Sequence, residues 1–287
     1  MRRLIINADD FGLTAGINRA ILKAHLEGIV TSATLMANGP AFDQAVTLTA
    51  SAPSLSIGCH VMLVDGSSLL QPARVPTLLA GRDNTSFYRS AGTLAWRSIT
   101  RSIDPAQIEL EAVAQIRKLQ SAGISVTHID THKHVHILPQ VLRPLLRAAQ
   151  TCGVRKIRNP FGRMLLAGLL RYASLWKRWI EFRTLQALAR SFRETVKNAG
   201  MITTDGTIGI VATGALDKEL FRSLIENLPD GTWEFVCHPG YNDPALQSLR
   251  TRLRKSREQE LEILTAPATR ELLQRYSIEL ISYRDLT

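Results

Sequence analysis

Short apolar runs alternate with amphipathic segments along the chain. Residues 4–8 form a largely apolar run typical of a buried parallel strand, and Thr14 and Gly28 mark the start and end of the helix that follows. Further strands are predicted at 32–36, 56–61, 124–129, 154–158, 207–211, 233–237 and 277–282, and further helices at 104–123, 139–153, 217–228, 250–264 and 267–276. This alternation is typical of βαβ units and predicts an α/β fold with a parallel sheet or barrel.

Three segments depart from this simple pattern. Residues 62–103 have no firm periodicity and are interpreted as a long active-site excursion, and the charge-dense segment 250–264 is predicted to be a solvated helix. Residues 162–196 are predicted to be a helical insertion with an apolar stripe and a basic opposite face. The candidate membrane-binding residues in this insertion are Arg171, Trp176, Arg178 and Ile180.

The basic insertion has three interpretations. A Trp-, Leu- and Arg-rich amphipathic helix suits a membrane interface, although a helix packed on the sheet with a solvated basic back would show the same pattern. Nucleic-acid binding is the third interpretation. We do not expect it, because no helix-turn-helix, zinc-finger or RNP pattern accompanies the charge.

Composition narrows the class of protein. The chain has 287 residues, 45% hydrophobic and 21% charged, which suits one globular α/β domain over 1–287. Its three widely spaced cysteines predict a reducing compartment, and we find neither a secretory segment nor an 18-residue apolar run, so a cytoplasmic location is expected. The net charge of +10 indicates an anionic partner, such as nucleic acid, a lipid headgroup or a substrate.

Four of the seven histidines lie within residues 127–139. They follow a predicted strand and precede Pro139, which can begin a helix. If strand geometry continued, His132, His134 and His136 would point to one side, where one or two could bind a metal and the others orient them. The alternative is a polar loop whose imidazoles are solvated.

Other polar side chains are predicted at the same edge of the sheet. Asp9 and Asp10 end the first strand, His60 lies near the end of the third, and His238 follows the strand at 233–237. One carboxylate and two imidazoles suit a divalent ion with open positions, while a spare carboxylate and a histidine can move protons. Metal-assisted amide or ester hydrolysis is predicted, and phosphoester hydrolysis remains open.

Four motifs together resemble the YdjC-like carbohydrate deacetylase family. They are Asn7-Ala8-Asp9-Asp10-Phe11-Gly12, Ile57-Gly58-Cys59-His60, Thr127-His128-Ile129-Asp130-Thr131-His132-Lys133-His134-Val135-His136 with Pro139, and Cys237-His238-Pro239. The resemblance implies a (β/α) barrel, irregular or seven-stranded, related to polysaccharide deacetylases. It also implies removal of acetyl from an N-acetylated sugar with a divalent ion, Mg²⁺ being expected and Zn²⁺ or another transition metal the alternative.

The resemblance also implies roles for individual residues. Asp10, His60 and His132 would hold the metal, Asp9 would be the general base, and His238 would be the acid. The remaining polar residues of the histidine motif would orient ligands or substrate, and these are Asp130, His134 and His136.

Within that family, the insertion resembles the hopanoid-biosynthesis-associated branch. Thr203-Thr204-Asp205 and Ala212-Thr213-Gly214 add to this resemblance. The implied substrate is an N-acetylglucosaminyl hopanoid, and the implied location is the inner face of the membrane. Alternatives are a deacetylase of soluble chitooligosaccharides, a metal-dependent sugar or lipid phosphoesterase, and a non-catalytic basic adaptor.

Overall fold

The computed structural model describes residues 1–81, 85–162, 180 and 183–287. Arg171, Trp176 and Arg178 lie outside the described residues. The predicted insertion is therefore described mainly beyond residue 182, and its role, like the assignment of one domain to 1–287, stays a prediction. No helix within the described ranges is both long and apolar enough to cross a membrane.

Seven parallel strands within the described residues form one curled sheet. They are β1 (Arg2–Phe11), β2 (Ser32–Leu35), β3 (Ser56–Val61), β4 (Ile129–Thr131), β5 (Gly206–Ile208), β6 (Gly231–Cys237) and β7 (Ile278–Ile281). The strand order is β4-β3-β2-β1-β6-β5, and β7 also pairs with β1. The sheet curls into a half-barrel with helices around it, which confirms the prediction of an α/β barrel-like fold with seven strands.

The helices connect these strands. In the described residues they are α1 (Ala15–Leu26), α2 (Phe42–Thr49), α3 (Ala91–Ile99), α4 (Pro105–Ser121), α5 (Pro139–Thr151), α6 (Ala189–Asn198), α7 (Lys218–Glu226), α8 (Pro244–Ser248), α9 (Lys255–Thr265) and α10 (Pro267–Arg275). Thr14 caps α1 by accepting a hydrogen bond from the Ile17 amide. Asp104 caps α4 in the same way through the Ala106 amide.

The carboxyl end of β1 is irregular. Its register with β2 shifts between Ala8 and Phe11, and Asp10 has a φ of 65°. Adjacent side chains of a regular strand point to opposite faces, whereas a bulge redirects one of them. The irregularity therefore allows both Asp9 and Asp10 to reach the same edge of the sheet.

Several predicted boundaries are wrong. The strand predicted at 124–129 becomes regular only at Ile129, where pairing with β3 begins. The strand predicted at 154–158 contributes only isolated bridges at Lys156 and Ile157. The strand predicted at 207–211 ends at Ile208, because Gly209 turns the chain with a φ of 93°.

The excursion contains more structure than its sequence indicated. It holds α3 and two short 3₁₀ helices, Pro72–Arg74 and Pro76–Leu78. Its residue Asp65 is held to Lys133 by an ion pair of 2.6 Å. The excursion is therefore tied to the segment that carries the histidines.

Candidate metal centre

Three predicted ligands meet at the carboxyl edge of the sheet. Asp10 Oδ1 lies 3.4 Å from His132 Nδ1 and 3.7 Å from His60 Nε2, and the two imidazole nitrogens are 3.3 Å apart. The three residues form one of two clusters in the described chain whose donor atoms are close enough to hold a metal. Asp10 and His60 are buried, whereas the His132 side chain is 18% exposed, so the cluster opens to solvent at His132.

His60 is oriented by its neighbour in the sheet. Parallel pairing places His60 of β3 beside Asp130 of β4, and His60 Nδ1 donates to Asp130 Oδ1 at 2.7 Å. This bond leaves Nε2 facing Asp10 and His132. Burial alone would lower the pKa of His60, but the carboxylates of Asp130, Asp9 and Asp10 together outweigh burial and raise it to about 9. A metal would have to displace the Nε2 proton on binding.

The second metal-capable cluster has no unoccupied carboxylate oxygen. It comprises Asp9, His60 and Asp130. The guanidinium of Arg158 donates to Asp9 through two bonds of 2.8 and 2.6 Å and forms an ion pair with Asp130. Together with the bond from His60 to Asp130, these contacts engage all four carboxylate oxygens of the cluster, whereas a buried arginine, Arg257, engages only Oδ2 of Asp10. The cluster around Asp10 is the better candidate.

Asp9 and His238 face each other beside the centre. Asp9 Oδ2 lies 3.9 Å from His238 Nε2, beyond hydrogen-bond distance. Burial would raise the pKa of Asp9, but Arg158, with His60 and His238, outweighs this effect and holds the pKa well below its ordinary value. Asp9 is therefore ionised, as a base must be, although its lowered pKa makes it a weaker proton acceptor.

Two charged residues of α9 form hydrogen bonds to residues of the candidate site. Arg257 Nη2 donates to Asp10 Oδ2 at 2.5 Å, and Glu260 Oε2 accepts from the His238 amide at 2.5 Å. Both side chains are buried, at 1% and 2% exposure. The prediction that 250–264 is simply a solvated helix is therefore wrong, because α9 turns two of its charges inward to meet polar partners.

The remaining histidines do not share one side. The chain leaves β4 in a 3₁₀ segment, His132–Ile137, in which Lys133 and His134 have left-handed φ values of 56° and 53°. The strand-like spacing considered for the three histidines is wrong for this reason. His136 is buried against Thr131, with Nδ1 2.6 Å from its hydroxyl, and burial helped by Arg158 lowers its pKa to about 3. Burial likewise lowers the pKa of His134 well below its ordinary value.

The sequence pattern did not predict the burial of Arg158 or of its third carboxylate partner, Glu234. Arg158 Nε donates to Glu234 Oε1 at 2.8 Å, and Tyr283 donates to the other oxygen of Glu234 at 2.5 Å. Glu234 interrupts the apolar strand Trp233-Glu234-Phe235, and a buried glutamate requires a buried partner. That interruption was the available signal, but it could not identify Arg158, which lies 76 residues away.

The fold and the site together define an α/β barrel-like protein with a candidate Asp-His-His metal centre at the carboxyl edge of its sheet. The YdjC-like protein family matches residues 3–275. The chain therefore belongs to the YdjC-like family, and the resemblance predicted from its motifs is confirmed.

Named relatives share the full length of the chain. A carbohydrate deacetylase of Brevibacillus brevis is 33% identical over 285 residues, covering 99% of each chain. A carbohydrate deacetylase of Geobacillus stearothermophilus is 32% identical over 291 residues, covering 99% of this chain and 98% of the relative. Among solved structures, a proposed cellobiose-phosphate cleavage protein of Enterococcus faecalis superposes with a TM-score of 0.75 at 26% identity, covering 98% of this chain and 97% of its own.

Proposed function

We propose that this protein is a metal-dependent hydrolase that removes the N-acetyl group from an N-acetylated sugar. The observation that carries the proposal is the convergence of Asp10, His60 and His132 within 3.3–3.7 Å at the carboxyl edge of the sheet. The name carbohydrate deacetylase, borne by full-length relatives, supports the choice of reaction.

The donor set fits a divalent ion. Donor atoms bound to one ion at about 2.0–2.2 Å lie roughly 3.0–3.5 Å apart, so the cluster would need little contraction. A bound ion would polarise an amide carbonyl and lower the pKa of water. Two imidazoles and one carboxylate favour a transition metal such as Zn²⁺ over Mg²⁺, which prefers oxygen donors. The expectation of Mg²⁺ stays untested, and we propose Zn²⁺ as the better chemical match.

The surrounding residues would divide the proton transfers. Asp9 would accept a proton from water, and His238 would give one to the departing amine nitrogen. Asp130 would hold His60 in its orientation, whereas His134 and His136 would shape the turn that positions His132. Arg158 would keep Asp9 ionised in a buried site and hold Asp130 in place through their ion pair.

Acetate release is the direct test of the proposed reaction. We expect chelator-treated protein to release acetate from N-acetylated glucosamine oligomers only after Zn²⁺ or another divalent ion is restored. Free amine and acetate should appear in equal amounts, because one amide bond is cleaved for each. The matched assay uses a sugar phosphate without an acetyl group. Phosphate release from it, with no acetate from the oligomers, would establish a phosphoesterase instead.

Asp9 and Asp10 should fail in different ways when each is changed to asparagine. Asp9→Asn cannot accept a proton, so acetate release should fall by about 10²–10⁴-fold while metal content is kept. The fold should survive, because Arg158 still meets Asp130 and Glu234. Asp10→Asn, measured by the same elemental and acetate assays, should lose both metal and activity. Near wild-type turnover of Asp9→Asn would exclude Asp9 as the base.

We further propose that the sugar is carried on a hopanoid lipid and that the enzyme acts at the inner face of the membrane. The support is the net charge of +10 and the predicted basic amphipathic insertion. Ile180, the candidate membrane residue that the structure describes, is 55% exposed. Deacetylation of soluble chitooligosaccharides is the alternative.

Vesicle sedimentation separates these substrates. Trp176→Ser/Ile180→Ser should release the protein from anionic vesicles and slow glycolipid deacetylation, while a short soluble N-acetyl sugar is turned over as before. The matched control is Trp96→Ser/Ile99→Ser, which removes an exposed Trp and Ile from α3. A lowered unfolding midpoint with unchanged sedimentation of the Trp176/Ile180 variant would show a packed helix and end the membrane proposal.

A further inference from the structure

A separate cavity of about 730 Å³ lies at the amino end of α9. Its wall contains three cationic side chains and no carboxylate, together with amide and hydroxyl groups. The residues that matter here are Arg252, Arg254, Lys255, Ser256 and Asn242. We call this space the basic cavity.

The cations of the basic cavity are available to a ligand. Arg254 is fixed by hydrogen bonds from Nη2 to the carbonyls of Gln247 and Leu249, at 3.1 and 3.2 Å. Arg252 and Lys255 are exposed, and neither forms an ion pair with any residue that the structure describes. Three like charges around one concavity repel each other, and an anion would remove that repulsion.

Neutral polar groups line the basic cavity beside its cations, and one acid lies next to it. Ser256 and Asn242 are half-buried residues of the wall, and the Asn242 amide donates to Glu258 Oε1 at 3.2 Å. The three cations outnumber this one carboxylate, so the charge around the basic cavity is positive and favours an anion.

The backbone adds further donors. Helix α9 has eleven residues, and no side-chain hydrogen bond caps its amino end at Arg254. The first amides of a helix are free donors, and the helix dipole favours negative charge there. The amino end therefore adds to the cations and the Ser256 hydroxyl on one wall of the basic cavity.

We propose that the basic cavity is a binding site for a phosphate group, either of a small soluble phosphate or of an anionic lipid headgroup. The site is distinct from the metal centre but shares α9 with it. Ser256 precedes Arg257, which binds Asp10, and Glu260 lies one turn further on, where it binds the His238 amide. The proposal does not depend on the reaction assigned to the metal centre.

Inorganic phosphate is the first probe, titrated calorimetrically into the full-length protein. Arg252→Gln/Lys255→Gln should raise the dissociation constant about tenfold or more, because charge-assisted hydrogen bonds contribute at least that factor. Both substituted residues are exposed, so the fold should be kept. The control, Arg143→Gln/Arg155→Gln, removes two exposed cations elsewhere and should bind phosphate as the wild type does.

Vesicle sedimentation on the same two variants identifies the source of the phosphate. Loss of binding to phosphatidylglycerol vesicles by the cavity variant, with the control variant unaffected, would identify a lipid headgroup. Retained vesicle binding with weakened inorganic phosphate binding would identify a small soluble phosphate. Equal behaviour of the cavity and control variants in both experiments would overturn the proposal.

Discussion

His132→Ala should leave the protein folded but unable to retain a stoichiometric divalent ion. Only Asp10 and His60 would remain as donors, and Asp10 cannot compensate by using both oxygens because Arg257 holds Oδ2. Changes to residues behind metal ligands already weaken binding by about 10–100-fold, so loss of a ligand should cost at least about a hundredfold. Acetate release should fall to the level of the metal-free wild type.

Elemental analysis after gel filtration measures this loss, and a second histidine variant controls for it. His25→Ala removes an imidazole that contacts Val30 and Ser54 instead of the centre, so it should keep both metal and turnover. His132 is preferable to His60 as the test, since its side chain is 18% exposed and leaves little cavity. Full metal occupancy in His132→Ala would remove this residue from the ligand set.

Arg158→Met should cause the largest loss of stability. It removes the cation that Asp9, Asp130 and Glu234 share in a fully buried position. Removing one partner of a buried ion pair costs about 3–5 kcal/mol, a large part of the roughly 5–15 kcal/mol that stabilises a typical domain. Denaturant unfolding should show the loss, while Arg155→Met, at an exposed neighbouring site, should change stability by less than about 0.5 kcal/mol.

The cost of Arg158→Met should also depend on pH. In the wild type the lowered pKa of Asp9 contributes stability that is present above its unfolded pKa of about 4 and is lost as the pH falls. Without Arg158, burial would raise the pKa of Asp9, so the folded variant would bind protons that the unfolded chain releases. The difference in unfolding free energy should therefore be smaller at about pH 5 than at about pH 7.5. A difference that is independent of pH would contradict this account of Asp9.

Local sequence was sufficient to predict the strands that carry the candidate ligands. Asp10 and His60 lie at the ends of apolar runs, and parallel strands bring such ends to one edge. The turn after β4 was not predictable in the same way, because Lys133 and His134 adopt left-handed conformations that are uncommon for residues other than glycine. The position of His132 relative to Asp10 depends on that turn.

Local sequence patterns could not predict the buried charges of the site. Arg158 meets Asp9 across 149 residues, and Arg257 meets Asp10 across 247. Hydrophobic periodicity predicts that an arginine is exposed. Burial of these arginines is favourable only because each has a charged partner that is distant in sequence. The prediction of a solvated helix at α9 is wrong for this reason, since Arg257 is buried against Asp10 of β1 and Glu260 against the His238 amide.

The central position of β1 links the first residues of the chain to nearly the last. Its partners include β2 nearby in sequence and β6 and β7 at the carboxyl end. Contacts between segments so far apart require most of the chain to be ordered first, which slows folding. During synthesis, the two acids of β1 emerge well before Arg257, which follows Asp10 by 247 residues. The nascent chain thus carries the Asp10 carboxylate without its buried counterion until these 247 residues have been added.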